Sequence, residues 1–195
     1  MLYKFCRFFV KIFMFTIFRI RVVGKEKMVR SGGVILCANH TSNWDPLLLI
    51  VNYPYPVHYM AKAELFEKAF PRWFFSHVYV FPVHREGNDL HAIKTAMGIL
   101  KKGMALGMFP EGTRVKDGKE MDAKAGVTML AIKSGAVIQP VAICGPVKPF
   151  HRVELRIGDP IYYDKKALGK LENEDYKRLA QDVMHKIKEL QHEKL

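Results

Sequence analysis

Residues 33–52 read GVILCANHTSNWDPLLLIVN. The first six form a short apolar run that fits a buried strand, and the polar run after it fits a loop. Asp45, followed by Pro46 and then LLLIV, opens a helix, because aspartate caps well and proline suits the first helical position. A strand that is apolar throughout and leaves through a polar loop into a helix is the repeating unit of an α/β layered domain.

The pattern recurs along the chain. Apolar runs at 57–61, 78–83, 104–109, 136–143 and 153–157 read as further strands. Residues 89–101 set Leu90, Ile93, Met97 and Leu100 on one helical face, and 123–134 do the same with Val127, Leu130 and Ala131. A last helix, 173–192, aligns Tyr176, Leu179, Val183, Met184, Ile187 and Leu190 and should dock on the sheet. The expected fold is therefore α/β: a mostly parallel central sheet flanked by helices. A chain of 195 residues can bury one sizeable core, and no repeat or low-complexity tract interrupts it.

The first residues, MLYKFCRFFVKIFMFTIFRIRVV, place Phe5, Phe8, Phe9, Phe13, Phe15 and Phe18 among cations. The longest charge-free run, IFMFTIF, is far short of the roughly 20 residues a spanning helix needs. Without a small-residue cleavage site, and with Lys11 interrupting the apolar stretch, the segment is expected to stay on the protein. Residues 1–24 are predicted to form an amphipathic helix at a membrane interface, with Lys4, Arg7 and Lys11 as one basic stripe. The alternative is a helix packed on the core.

Lys and Arg number 31 against 19 Asp and Glu, a net charge of +12, so the chain should attract anions. Nucleic acid, an anionic membrane and a phosphorylated substrate all satisfy that. Cys6, Cys37 and Cys144 form no C-x-x-C pair, which points to a reducing compartment without a disulfide framework or metal site.

Chemistry gathers after the strands. His40 stands five residues before Asp45, beyond the strand at 33–38, where open α/β sheets place ligands. A histidine can take a hydroxyl proton while a carboxylate on its other nitrogen fixes the tautomer. On a regular helix the two residues would be roughly 140° apart, so His40 must lie in the loop for them to meet. The strand at 104–109 runs into Glu111, Gly112, Thr113 and Arg114, where glycine lets backbone amides approach an anion and arginine offers a phosphate fork. His84 and Arg85 end the strand at 78–83. Each feature alone has a plain reading: Asp45 as a cap, His40 as a loop residue, PEGTR as a charged turn.

Together these motifs resemble the glycerolipid acyltransferases, specifically the 1-acylglycerol-3-phosphate acyltransferases. NHTSNWDP matches that family's first motif, FPVHR is similar to its second, FPEGTR matches its third closely, and VIQPVAI, with Pro140, resembles its fourth. They occur in family order over residues 33–143. The resemblance implies that residues 25–195 are an acyltransferase domain, with His40 as general base and Asp45 orienting it. It further implies that Arg85, Glu111, Gly112, Thr113 and Arg114 hold glycerol phosphate, with Lys62 beside the site. The implied reaction moves an acyl group from acyl-coenzyme A or acyl carrier protein directly onto lysophosphatidic acid at the cytoplasmic face of a membrane, without cofactor or metal. No G-x-S-x-G elbow is present, and Ser42 and Cys37 read as a turn hydroxyl and a buried strand residue. Other acceptors, such as glycerol 3-phosphate or another lysophospholipid, stay open. So does a non-enzymatic basic module, although no nucleic-acid-binding motif appears.

Overall fold

The computed structural model describes residues 2–84, 89–115 and 122–193. Its first helix, α1 (Leu2–Ile17), stops short of the predicted span of 1–24, and the chain turns at Phe18 into a strand, β1 (Arg19–Val23). The cause is a change of period. Phe18, Ile20 and Val22 pack inward while Arg19 and Arg21 are exposed, a two-residue alternation suited to a strand at a sheet edge.

Then follow β2 (Val34–Ala38), α2 (Asp45–Asn52), β3 (Val57–Lys62), α3 (Ala69–His77), β4 (Val80–Val83), α4 (Leu90–Lys101) and β5 (Ala105–Met108). The chain closes with α5 (Gly126–Ser134), β6 (Val137–Cys144), β7 (Arg152–Ile157), α6 (Lys165–Leu168) and α7 (Asn173–His192). The predicted strands and helices are all present, while β1, α3 and α6 are additions. Pro71 sits in the first turn of α3, where a helix needs no N–H from it.

Seven strands among the described residues form one sheet in the order β1-β7-β6-β2-β5-β3-β4. Every neighbouring pair is parallel except β6 and β7. Strands β6, β2, β5, β3 and β4 therefore end at one edge of the sheet, and β7 and β1, running the other way, begin there. That edge collects the chemistry.

Side chains alternate between two cores. Val34, Leu36 and Ala38 join α1 and α2 on one face, and Ile35 and Cys37 join α4, α5 and α7 on the other. Each fully buried leucine or isoleucine contributes about 1.5 to 3 kcal/mol relative to exposure. Both faces of the sheet are covered, as its uniformly apolar strands require.

The first helix is core along one stripe and open to solvent along another. Tyr3, Met14 and Phe18 are buried, with Val10 and Ile17 packed against them, so one stripe of α1 is core. Arg7 leaves the expected basic stripe: its Nε donates to the Ile50 carbonyl at 3.0 Å, and its two amino groups reach the Tyr53 and Pro54 carbonyls. It caps the end of α2. The opposite side displays Phe5, 61 % exposed, with Phe8, Phe9, Phe13 and Phe15, beside exposed Lys4 and Lys11. No helix among the described residues is long and apolar enough to cross a membrane.

Candidate active site

The loop after β2 is held from both flanks. Asn39, buried, brackets the end of β6 by donating to the Ile143 carbonyl at 3.0 Å and accepting from the Ile143 N–H at 2.7 Å. Asp45, fully buried at the start of α2, folds back on its own loop instead of capping the helix. Its Oδ2 accepts from the N–H groups of Thr41 at 2.6 Å and Ser42 at 2.7 Å. The same oxygen lies 2.9 Å from His40 Nδ1. Because Oδ2 acts as an acceptor, Nδ1 carries the hydrogen and Nε2 keeps a lone pair, the tautomer a general base needs.

The imidazole is fixed by packing as well. It stacks on Phe109 with ring centroids 4.0 Å apart, and Phe109 stacks in turn on Tyr59 at 6.4 Å. The Tyr59 ring lies over Gly107 of β5, where an added Cβ would come within 2.2 Å of it. Trp44, next to Asp45, touches Phe13 and Phe18 at 5.7 and 5.8 Å, so α1 packs directly on this loop.

Beyond β5, the turn of residues 110–115 is tied to His40 twice. The His40 N–H donates to Glu111 Oε1 at 3.3 Å, and the Val115 N–H donates to the His40 carbonyl at 2.9 Å. Glu111 thus takes a different place from the one expected of a phosphate ligand. It is 1 % exposed and sits behind the histidine, and burial pushes its carboxyl above the usual range. Its Oε2, like Asp45 Oδ1 and the Tyr59 hydroxyl, has no hydrogen-bond partner among the described residues. Gly112, Thr113 and Arg114 face outward on the same turn.

Lys124 is a residue that motif reading does not find. Gly112 has φ of 69°, and a Cβ there would lie 2.9 Å from the Lys124 Cδ and Cε and 3.0 Å from its Nζ. Its backbone N–H donates to the Pro110 carbonyl at 2.9 Å, which brings the segment before α5 across the turn. The left-handed φ favours glycine at 112, and the absent Cβ leaves room for the Lys124 side chain to lie across the turn. Lys62 is exposed at the end of β3, two strands from β2. His84 is exposed at the end of β4, and Arg85 lies outside the described residues.

Two nucleophile candidates fall away. Ser42 Oγ accepts from the Trp44 N–H at 3.3 Å, and Cys37 is fully buried within β2, where burial raises its thiol well above its usual value. Among the described residues, no group of three or more His, Cys, Asp or Glu side chains has an arrangement that would hold a metal ion.

The chain as a whole has counterparts among known proteins. The profile of the family described as Acyltransferase matches residues 19–144. This chain belongs to that acyltransferase family. It is 32 % identical over 167 residues to the 1-acyl-sn-glycerol-3-phosphate acyltransferase of Bacillus subtilis, covering 83 % of each chain. It is 31 % identical over 127 residues to the protein of the same name from Borreliella burgdorferi, covering 64 % of this chain and 51 % of that one. The crystal structure of the 1-acyl-sn-glycerophosphate (LPA) acyltransferase of Thermotoga maritima superposes with a TM-score of 0.74 over 98 % of this chain and 82 % of that one, at 24 % identity. The shared architecture of this acyltransferase is the mostly parallel sheet flanked by helices.

Proposed function

We propose that this acyltransferase moves a fatty acyl group from acyl-coenzyme A or acyl carrier protein to the sn-2 hydroxyl of 1-acyl-sn-glycerol 3-phosphate, giving phosphatidic acid. The observation that carries the reading is the 2.9 Å His40–Asp45 pair, bonded through the His40 backbone to the turn that bears Gly112 and Arg114. The relatives named for that acceptor support it. In this reading His40 Nε2 takes the hydroxyl proton as the oxygen attacks the thioester carbonyl, a contribution of order 10² to 10⁴ in rate. Asp45 holds the ring and stabilises the imidazolium. The proton then passes to the departing thiolate, and no acyl-enzyme forms.

Arg114, with the Lys124 ammonium on the other side of Gly112, supplies the charge that seats the acceptor phosphate, Lys62 lies toward the far side of the same mouth, and Arg85 is kept as a further phosphate ligand on its sequence motif alone. Glu111 positions His40 from behind. The aromatic side of α1 rests in the headgroup layer of an anionic membrane, with Lys4 and Lys11 beside it, and the protein works as a peripheral or monotopic protein at the cytoplasmic face. In this reading the base, its partner and the anion site all come from the chain, and acyl-coenzyme A or acyl carrier protein enters as a substrate, so the proposed reaction calls for no cofactor.

Purified protein supplied with an acyl-coenzyme A and lysophosphatidic acid should form phosphatidic acid. His40→Ala should lose at least 10²-fold in turnover while remaining folded, with some loss in melting temperature because the imidazole stacks on Phe109. Turnover near that of the wild type in His40→Ala would remove the mechanism, and acylation of a different acceptor instead would remove the substrate.

A further inference from the structure

At the edge of the sheet that carries His40, but on its other flank, a cavity of about 580 Å³ opens between the end of α1 and the start of β7. Arg19, Arg21 and Arg152 line it, with Phe15 and Phe150 among its other walls. Arg19 and Arg152 are direct cross-strand partners, an arrangement of like charges that costs stability unless an anion offsets it. One carboxylate is near. Glu154 lies 3.4 Å from Arg21 and 3.5 Å from Arg152, but its shortest bond, at 2.6 Å, is to Arg156. Exposed Arg21 and Arg152 therefore share the remainder of one charge, and exposed Arg19 beside them has no carboxylate partner among the described residues.

Phe150 adds a second, independent sign. It is 72 % exposed and has φ of 64°, a conformation that bulky residues rarely adopt and that persists only where the surroundings enforce it. The enforcement is visible: its N–H donates to the Ile17 carbonyl at 2.6 Å, and the Arg19 N–H donates to the His151 carbonyl at 3.1 Å. The loop before β7 is thus strapped to the end of α1. Phe15 continues the exposed aromatic side of that helix to the rim of the cavity.

We propose that this cavity binds the phosphate headgroup of an anionic bilayer phospholipid, which Arg19 and Arg152 hold while Phe15 and Phe150 enter the acyl region beside it. A soluble phosphate would satisfy the arginines but would leave two large rings in water, whereas a lipid satisfies both. The proposal rests on the reading of α1 as a membrane-lying helix. At about 4.8 Å per strand, β1 lies roughly 15 Å from β2, so a lipid seated there would be a neighbour of the acceptor and not the acceptor itself.

The test compares co-sedimentation with vesicles of phosphatidylcholine alone and with about a third phosphatidylglycerol. Replacing Arg19 and Arg152 by Gln should lower partition onto the anionic vesicles by about fivefold for each arginine, and should leave partition onto neutral vesicles and turnover on micellar lysophosphatidic acid unchanged. Lys101→Gln with Lys102→Gln, the same charge change at the opposite edge of the sheet, should have a much smaller effect. The proposal is overturned if the arginine variant keeps the anionic preference, or if the lysine pair matches it. It is equally overturned if inorganic phosphate, at ionic strength matched with chloride, displaces the wild type, since the site would then take a soluble anion. A wild type that binds no vesicles at all would overturn the membrane placement of α1 together with this site. Vesicle binding that ignores Arg19 and Arg152 would overturn the site alone.

Discussion

Glu111 combines two demands that conflict. Its Oε1 must accept from the His40 N–H, yet its burial disfavours the ionised form, and nearby Asp45 adds to that cost. A carboxyl whose pKa is raised by folding binds its proton more tightly in the folded state, so its contribution to stability is full below the ordinary value of 4.5 and is lost as pH rises through the folded value. Glu111→Gln keeps the acceptor oxygen and cannot ionise. Its urea midpoint should therefore gain on that of the wild type as pH rises from about 4.5, and then hold a constant lead. A difference independent of pH would mean that Glu111 is not strained by burial. At this scale the meeting of His40 and Asp45 was legible, because a histidine in the loop after a strand can reach a carboxylate at the start of the next helix. The side of the turn that Glu111 takes was not, since sequence assigns a residue to a loop without saying which way it points. Lys124 was hidden for a different reason: it reaches Gly112 only through the tertiary approach of the segment before α5.

At the scale of elements, α2 depends on α1. The last carbonyls of a helix have no partners within it, and at the end of α2 one guanidinium serves those of Ile50, Tyr53 and Pro54. Arg7→Met keeps much of the packing stem and removes the donors. Charged hydrogen bonds contribute about 1.5 to 3 kcal/mol, so the melting temperature should fall by roughly 3 to 12 °C for a chain of this size. An unchanged melting temperature would show that solvent serves those carbonyls as well. Spacing put Arg7 in one stripe with Lys4 and Lys11, but in the fold Arg7 turns to the end of α2 while the two lysines stay exposed, because spacing alone cannot tell which cations find a partner. The strand β1 was missed although its alternation was present, because the helical pattern before it contains the same residue types and five residues give a weak signal.

For the whole molecule, the exposed rings of α1 offer a test that leaves the core untouched. Phe5→Ser, Phe8→Ser and Phe9→Ser together replace rings that are more than half exposed, so the fold should persist while partition onto vesicles of any composition falls at least about tenfold. Vesicle binding equal to that of the wild type would return those rings to another duty. The general architecture was readable from uniformly apolar strands alternating with helices, and both faces of the sheet are indeed covered. What sequence left open was whether α1 is core or surface, and the answer divides around its circumference: Met14 is fully buried and Phe15, the next residue, is exposed.

The double grip of α1 on α2, by Arg7 at one end and by Phe13 and Phe18 on Trp44 at the other, bears on how this protein is handled at the bench. An aromatic leading helix invites trimming, the usual remedy for poor solubility. Cutting before residue 18 would strip Met14 from the core and leave the carbonyls at the end of α2 without their donor. Trp44, beside Asp45, would lose one of its aromatic neighbours at the same stroke. The shortened protein would then be judged inactive for want of a lipid surface, when the loop of His40 and Asp45 had simply lost its splint. Polar replacement of the outward rings, with the length of the chain preserved, is the sounder route to a tractable sample.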